Sequence, residues 1–483
     1  MPRSFFSHDP AQQPTPTLET RDEAIAFLME RINYESFPAL PYSQRHLKLD
    51  RMRQLLTRLG SPDAGMPIVH VAGTKGKGST SALIASVLHA AGYETGLFSS
   101  PHLERLEERF AVNGAACSEQ ELVALVERLR PVVQAMDRAA DQASDATLRP
   151  TYFELTTAMA LMHFAQRKVD VAMLEVGLGG RLDSTNVCQP TVCVITSISR
   201  DHTRQLGDRL EQIAAEKAGI IKPGVPVLCG PIDDGPRQVV AQIARQHGCR
   251  LLEAGHSFRH RYRPPRELDV ADHPGRLDFE FCDGESSLKL PGVPLRLVGE
   301  HQADNGALAL ATVAELRRQG WLISTQAMHQ GLESLALPGR VEVISRRPTV
   351  VLDVAHNVAS AQALVEVLQE SFACRERLLV LSVSHDKDVQ GILQTLLPHF
   401  GPVIVTQYQE NPRAVPVAKL AEMVRQLQRQ LGRGEQAERV SERAVPIEAW
   451  QLAREMARDD QLICVTGSFF IAAELRSALQ LGD

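Results

Sequence analysis

The stretch Val69-His70-Val71-Ala72-Gly73-Thr74-Lys75-Gly76-Lys77-Gly78-Ser79-Thr80 runs from an apolar strand into a helix of small residues. Three glycines let the backbone bend until several N–H groups face one point. There a helix N-terminus adds partial positive charge and Lys77 a full one. Such a turn selects a polyphosphate. The spacing departs from G-x-x-x-x-G-K-[ST], because two residues separate Gly73 from Gly76 and Gly78 follows the lysine. Gly73, Thr74, Lys75, Gly76, Lys77, Gly78 and Ser79 are therefore the expected phosphate cradle.

Outward from that turn, strand and helix alternate. The apolar runs Ile68 to Ala72, Thr95 to Phe98, Val169 to Val176, Thr191 to Ile198 and Val225 to Leu228 read as strands covered on both faces. Thr80 to Ala91, Ser118 to Ala135 and Glu154 to Gln166 read as intervening helices, which predicts βαβ units and a parallel sheet. Residues 21 to 60 read as helical, Asp137 to Pro150 as a solvated loop or helix extension, and 251 to 298 as a short antiparallel excursion. After Leu337-Pro338-Gly339-Arg340, where the Pro-Gly pair permits a sharp change of direction, the alternation resumes. Strands are expected at Thr349 to Val354, Leu378 to Val383, Val403 to Gln407 and Leu462 to Thr466, with helices near 359–370, 387–397, 416–431 and 446–457. The fold class is α/β. A P-loop NTPase-like domain with a mostly parallel sheet is expected over 21–335, a smaller Rossmann-like domain over 340–483, and a disordered tail over 1–20.

Bulk properties narrow the function. A chain of 483 residues exceeds what one core usually supports. With 44% hydrophobic and 23% charged residues the composition is that of a soluble globular protein, and a net charge of −6 gives no electrostatic case for nucleic acid. Eight scattered cysteines without a C-x-x-C pair read as reduced core residues, which fits a cytoplasmic setting. The first twenty residues lack the apolar run of a signal peptide, and no stretch reaches membrane-spanning length.

Chemistry gathers where strands end. In a doubly wound sheet the loops leaving the carboxyl ends of strands share one crevice. Ser99-Ser100-Pro101-His102-Leu103 follows the second strand, which puts the Ser100 hydroxyl near the phosphate loop. Glu175 closes a buried strand and needs a cation, for which Mg²⁺ beside a triphosphate is the natural candidate. Asp201-His202 ends a third strand and brings His202 to the same edge. Lys217, on a largely apolar helical segment, is either a snorkelling cation or a buried amine able to lose its proton.

These motifs, with His301-Gln302-Ala303-Asp304-Asn305, Pro338-Gly339-Arg340, Leu352-Asp353-Val354-Ala355-His356-Asn357, Asp386-Lys387-Asp388 and Gly467-Ser468, occur in one order. In that order the chain resembles the folylpolyglutamate synthases, including their bifunctional dihydrofolate synthase form, within the Mur ligase superfamily. The resemblance runs from about residue 25 to the C-terminus. It implies that the phosphate loop holds ATP, that Ser100, Glu175 and His202 hold Mg²⁺, with two ions expected, and that Lys217 is carbamylated. It further implies that Asn305, Arg340 and Asp353 contact ATP across the cleft, with Lys77, Lys217, Arg340 and His356 the catalytic set. His356 and Ser468 would receive L-glutamate, and Thr151, Phe153, Arg181, Asp183 and Ser184 the pterin or folate end. Core packing is an equally good reading of Phe153. The phosphate loop departs from the family's usual form in having Lys75 where Asn is common, and Val354 and Val358 stand where Gly and Pro are commoner.

The activity so implied is ATP-dependent addition of L-glutamate to folates and to dihydropteroate through an acyl phosphate. Partners would be these small molecules, with no nucleic acid or membrane, and the expected state is a monomer. The rivals are a Mur-type ligase acting on a different carboxylate and a nucleotide-gated binding protein that forms no product.

Overall fold

The computed structural model describes residues 18–34, 49–201, 203–284 and 287–480. Its first sheet comprises β1 (Ile68–Ala72), β2 (Thr95–Phe98), β3 (Phe110–Val112), β4 (Ala115–Ala116), β5 (Val171–Glu175), β6 (Val192–Ile195), β7 (Val227–Cys229) and β8 (Leu251–Glu253), in the order β4-β3-β2-β5-β1-β6-β7-β8. From β2 to β8 every pairing is parallel, and the short β3 and β4 add an antiparallel edge. β1 lies between β5 and β6, so all five of its residues are buried, which is why the segment is an unbroken apolar run apart from His70. That central position sends the phosphate loop out of the middle of the sheet, next to the ends of β5 and β6.

The antiparallel excursion is present as β9 (Phe258–Arg263), β10 (Gly275–Cys282) and β11 (Ser287–Leu295). Leu277, Phe279 and Phe281 of β10 point inward, alternating with Arg276, Asp278 and Glu280, and join the core of the first sheet. The second sheet comprises β12 (Glu342–Arg346), β13 (Thr349–Leu352), β14 (Arg377–Leu381), β15 (Val403–Val405), β16 (Val440–Glu442) and β17 (Leu462–Thr466), in the order β12-β13-β17-β14-β15-β16. Only β12 runs antiparallel, and this sheet has apolar clusters of its own on either face.

The structure differs from the expectation at particular points. Of the two readings of Asp137 to Pro150, the helix extension holds as far as Gln142: the helix Glu119–Gln142 accommodates Pro131 and runs seven residues past Ala135, because Met136 and Ala140 continue its buried stripe. The helices Glu300–Arg318 and Thr325–Ser334 fill a region from which only the His301 to Asn305 motif was read, and both pack on the helix that follows the phosphate loop. β4, β12 and β16 are short edge elements with no apolar run to announce them, and β3 is a three-residue apolar strand that was not foreseen. Of the eight cysteines, Cys282 is exposed and Cys249 and Cys374 are half-buried, so the reading of all eight as core residues holds for five. Residues 1–17, most of the expected tail, lie outside the described residues. No helix among the described residues is long and apolar enough to cross a membrane.

Candidate active site

The phosphate loop is fastened to the exit of β6. The Thr74 N–H donates to the Ser197 carbonyl at 2.7 Å, the Lys75 N–H to Ser197 Oγ at 3.0 Å, and Thr196 Oγ1 to the Lys75 carbonyl at 2.6 Å. A Cβ at Gly73 would stand 1.8 Å from Thr196 Oγ1, so only glycine permits this approach. Gly76, at φ +81°, caps the helix Lys77–Ala90, whose first N–H groups have no side-chain cap. The turn thus presents bare donors and Lys77 to a large cleft of about 2530 Å³ lying between the two sheets.

The carboxylate of Glu175 sits at the floor of that cleft. Its side chain is 6% exposed, with Oε1 4.0 Å from Lys77 Nζ and Oε2 accepting the Ser100 N–H at 3.2 Å. Burial pushes its pKa up, while Lys77, the Ser100 N–H and then Arg340 pull it down. A buried acid with so thin a set of partners fits a site for an added cation. Among the described residues no group of three or more His, Cys, Asp or Glu side chains is placed to hold a metal. The donor set of one carboxylate and one serine therefore suits Mg²⁺, which takes many of its oxygens from water and phosphate. Lys77, Ser100 and Glu175 converge as expected, whereas His202 lies outside the described residues.

Lys217 is buried behind the loop and does not line the cleft. Its Nζ donates to the Gly73 carbonyl at 2.8 Å. Burial, then the charge of Lys77, brings its pKa down to about 7 against the opposing pull of Asp201. Of the two readings of this lysine, the buried amine is the one observed.

The opposite wall belongs to the second sheet and the linker. The Arg340 guanidinium lies over the Phe469 ring at 5.3 Å, and its pKa is lowered by burial while Asp353 and Glu175 act to raise it. Asp353 accepts the N–H groups of Val341 at 3.0 Å and Ala355 at 2.8 Å, and burial raises its pKa to about 6. It therefore fixes the turn that carries Arg340. His356 Nδ1 is 2.9 Å from the Val354 carbonyl, which makes Nδ1 the protonated nitrogen and leaves Nε2 an acceptor. Burial lowers its pKa to about 4, so the ring is neutral near pH 7. Ser468 is buried in the same wall, with its Oγ accepting the Phe470 N–H at 3.1 Å. Asn305 reaches the loop from the helix Glu300–Arg318, with Oδ1 3.4 Å from Thr80 Oγ1.

The residues expected at the acid substrate divide. Phe153 is half-buried in the cleft wall, pressed so closely on Gly177 that a Cβ there would stand 2.4 Å from its Cζ. Thr151 and Ser184 also line the cleft, yet their hydroxyls are engaged: Thr151 caps the helix Tyr152–Arg167 and Ser184 Oγ lies 2.6 Å from Thr157 Oγ1. Asp183 accepts the N–H groups of Gly177 at 3.1 Å and Leu178 at 3.0 Å, shaping the loop from within. Arg181 departs from expectation. It does not line the cleft, and its guanidinium turns outward onto Glu216 at 2.9 Å, because its backbone is drawn to the helix Leu210–Ala218 by the Arg181 N–H to Glu216 carbonyl bond.

Residues 71–313 match the Mur ligase middle domain and residues 339–469 the Mur ligase glutamate ligase domain. A dihydrofolate synthase/folylpolyglutamate synthase of Bacillus subtilis is 38% identical over 353 residues, covering 72% of this chain and 78% of that protein. The chain belongs to this family of Mur ligases. The folylpolyglutamate synthase of Mycobacterium tuberculosis, solved in complex with ADP, superposes with a TM-score of 0.82 at 32% identity, covering 95% of this chain and 98% of that one. FolC of Escherichia coli, solved with DHPP and ADP, gives a TM-score of 0.77 at 31% identity over 97% and 99%.

Lys75, expected in the phosphate cradle, makes a contact not foreseen from sequence, and several other cleft residues of this family member had no role assigned there. Lys75 Nζ donates to Asn357 Oδ1 at 2.9 Å, joining the phosphate loop to the second domain. Asp201 lines the cleft and its charge reaches Lys75, Lys217 and His356. His301, with its pKa lowered to about 4 by burial and then by Arg340 and Lys75, stands in the same wall. Asp201 and His301 lay inside quoted motifs, where a charged or imidazole group beside the assigned residue was the available signal. Arg413, held over Phe470 at 5.1 Å, lay in no such motif.

Proposed function

We propose that this chain joins L-glutamate to folates and to dihydropteroate at the expense of ATP. The observation that carries this reading is the convergence of the phosphate loop, Glu175 and Ser100 on one wall with Arg340, His356 and Ser468 on the other. The substrate carboxylate oxygen attacks the γ-phosphorus of ATP, the bond to the β-bridging oxygen breaks, and ADP leaves. The amine of glutamate then attacks the acyl carbon, phosphate departs with the bonding pair, and the nitrogen loses a proton. Lys77 and Arg340 offset charge on the transferring group, and the two walls hold nucleophile and electrophile in line while keeping water out. A neutral His356 of low basicity serves by accepting a hydrogen bond from the glutamate amine once its ammonium form has given a proton to solvent.

Ser100, Glu175 and His202 would hold Mg²⁺, two ions in all, which supplies charge neutralisation at the phosphate oxygens. Lys217, as a free amine, adds to CO₂ with loss of a proton, giving a carbamate in place of a cation behind the phosphate loop. The division at residues 335–340 makes 21–335 the nucleotide-binding unit and 340–483 the closing one. Incubating the pure protein with ATP, glutamate and either tetrahydrofolate or dihydropteroate, then weighing the products, tests the reading. It requires products one or more glutamyl residues heavier, with ADP released in step. ATP turnover without a heavier product would refute it.

A further inference from the structure

Three charged side chains, far apart in sequence, meet beside the linker between the two sheets. Arg476, in the helix Phe469–Gln480, donates through Nη1 to Glu104 Oε1 at 2.8 Å, and through Nε and Nη2 to Glu342 at 3.2 Å. The three side chains are only 22%, 26% and 19% exposed, so solvent and salt screen this network less than a surface pair. Each carboxylate is tied to a piece of the site. Glu342 Oε2 also accepts the Gly339 N–H at 2.8 Å, immediately before Arg340. Glu104 closes the segment in which the Ser100 N–H donates to Glu175. Its neighbour Leu103 leaves the first domain's core and packs into an apolar cluster of the second sheet. The first residue of the same helix, Phe469, bears the Arg340 guanidinium on its face.

One helix therefore holds Arg340 from two sides and grips the Ser100 segment across the cleft. We propose that Arg476 is a positioning residue for the ligation: through Glu104 and Glu342 it sets the Ser100 and Glu175 wall in register with Arg340 when the cleft is closed. None of the bonds that fasten the phosphate loop involves Arg476, so losing it misaligns the reacting groups without loosening the nucleotide. This assignment rests on the ligase reading above.

The test compares wild type with Arg476→Gln, Glu104→Gln, the double variant and Arg476→Lys. It measures ADP release with tetrahydrofolate and glutamate, together with ADP affinity by titration, below each variant's melting midpoint. Arg476→Gln is expected to lower kcat about ten-fold, the scale of one coupled network, with the ATP KM and the ADP Kd within about two-fold of wild type. The double variant is expected to lose no more than Arg476→Gln alone, and Arg476→Lys to recover part of the rate. A wild-type kcat in Arg476→Gln, or losses that multiply in the double variant, overturns the proposal. Should Arg476→Gln not fold, Glu104→Gln decides alone, since Arg476 then keeps Glu342; its kcat must fall while nucleotide affinity holds. A wild type that makes no glutamylated product would sink the ligase reading instead, so the two failures are distinct.

Discussion

At the residue scale the site is built from charges that solvent would otherwise neutralise. Glu175 and Lys77 face each other at 4.0 Å on a buried floor, and Lys77 is the main fixed counter-charge of Glu175. Lys77→Ala and Glu175→Gln are each expected to cut folate- and glutamate-dependent ADP release by at least about a hundred-fold, the scale of a lost electrostatic stabiliser. A coupled ADP assay measures this. Glu175→Gln keeps the shape but leaves the half-buried Lys77 without the carboxylate facing it, so its melting temperature is expected to fall. Lys217 gives a pH dependence of known sign. Its folded pKa is about 7, whereas an unfolded lysine keeps its proton to about 10.4. Between those values the unfolded chain binds the extra proton, so stability at this position rises with pH and is lost as pH falls toward 7. The melting temperature of wild type minus that of Lys217→Met, in CO₂-free buffer, is expected to grow from pH 7 to pH 9. A flat difference would mean that the folded amine keeps its proton.

At the element scale, helices place these groups through caps and close approaches. Thr151 and Glu154 form a capping box at the helix Tyr152–Arg167, and Glu154 is further held by Arg51 at 2.8 Å. Thr151→Ala is expected to cost about 1 kcal/mol of stability in denaturant unfolding, as lost caps do. A large rise in folate KM with stability unchanged would instead assign the hydroxyl to the substrate. A Cβ on Gly331, in the helix Thr325–Ser334, would stand 2.5 Å from the Val87 Cα of the helix behind the phosphate loop. Gly331→Ala is expected to destabilise by about 1–3 kcal/mol, since two backbones must part, and thermal unfolding reads it. Strong periodic elements were legible in sequence because burial on both faces leaves an apolar run: Ile68–Ala72, Thr95–Phe98 and Leu462–Thr466 stand at the predicted bounds. β12 and β16 were not, because an edge strand needs a partner's backbone more than an apolar sequence.

At the scale of the whole molecule, function depends on two domains meeting. Lys75 on one wall holds Asn357 on the other, and such a bond is worth about 1 kcal/mol net, enough to change a closed-to-open ratio about five-fold. Lys75→Ala is expected to enlarge the radius of gyration of the nucleotide-free protein in small-angle scattering; an unchanged radius would show that other contacts hold the cleft. Of the site, the phosphate loop, Glu175 and Ser100 were legible because each follows a central strand, and parallel topology brings such ends together. The outward turn of Arg181, the choice between the two readings of Lys217 and the Arg476 network were not, since each depends on which neighbour a long side chain meets. The amino-acid order alone determined the α/β architecture and the phosphate loop, because these follow from local periodicity and short motifs, and it gave the type of reaction through the family resemblance that those motifs carry. Which charges share a cleft, and which are absorbed by the scaffold, emerged from the packed chain. The energy of a buried charge is set by partners hundreds of residues away, and no local pattern encodes that distance.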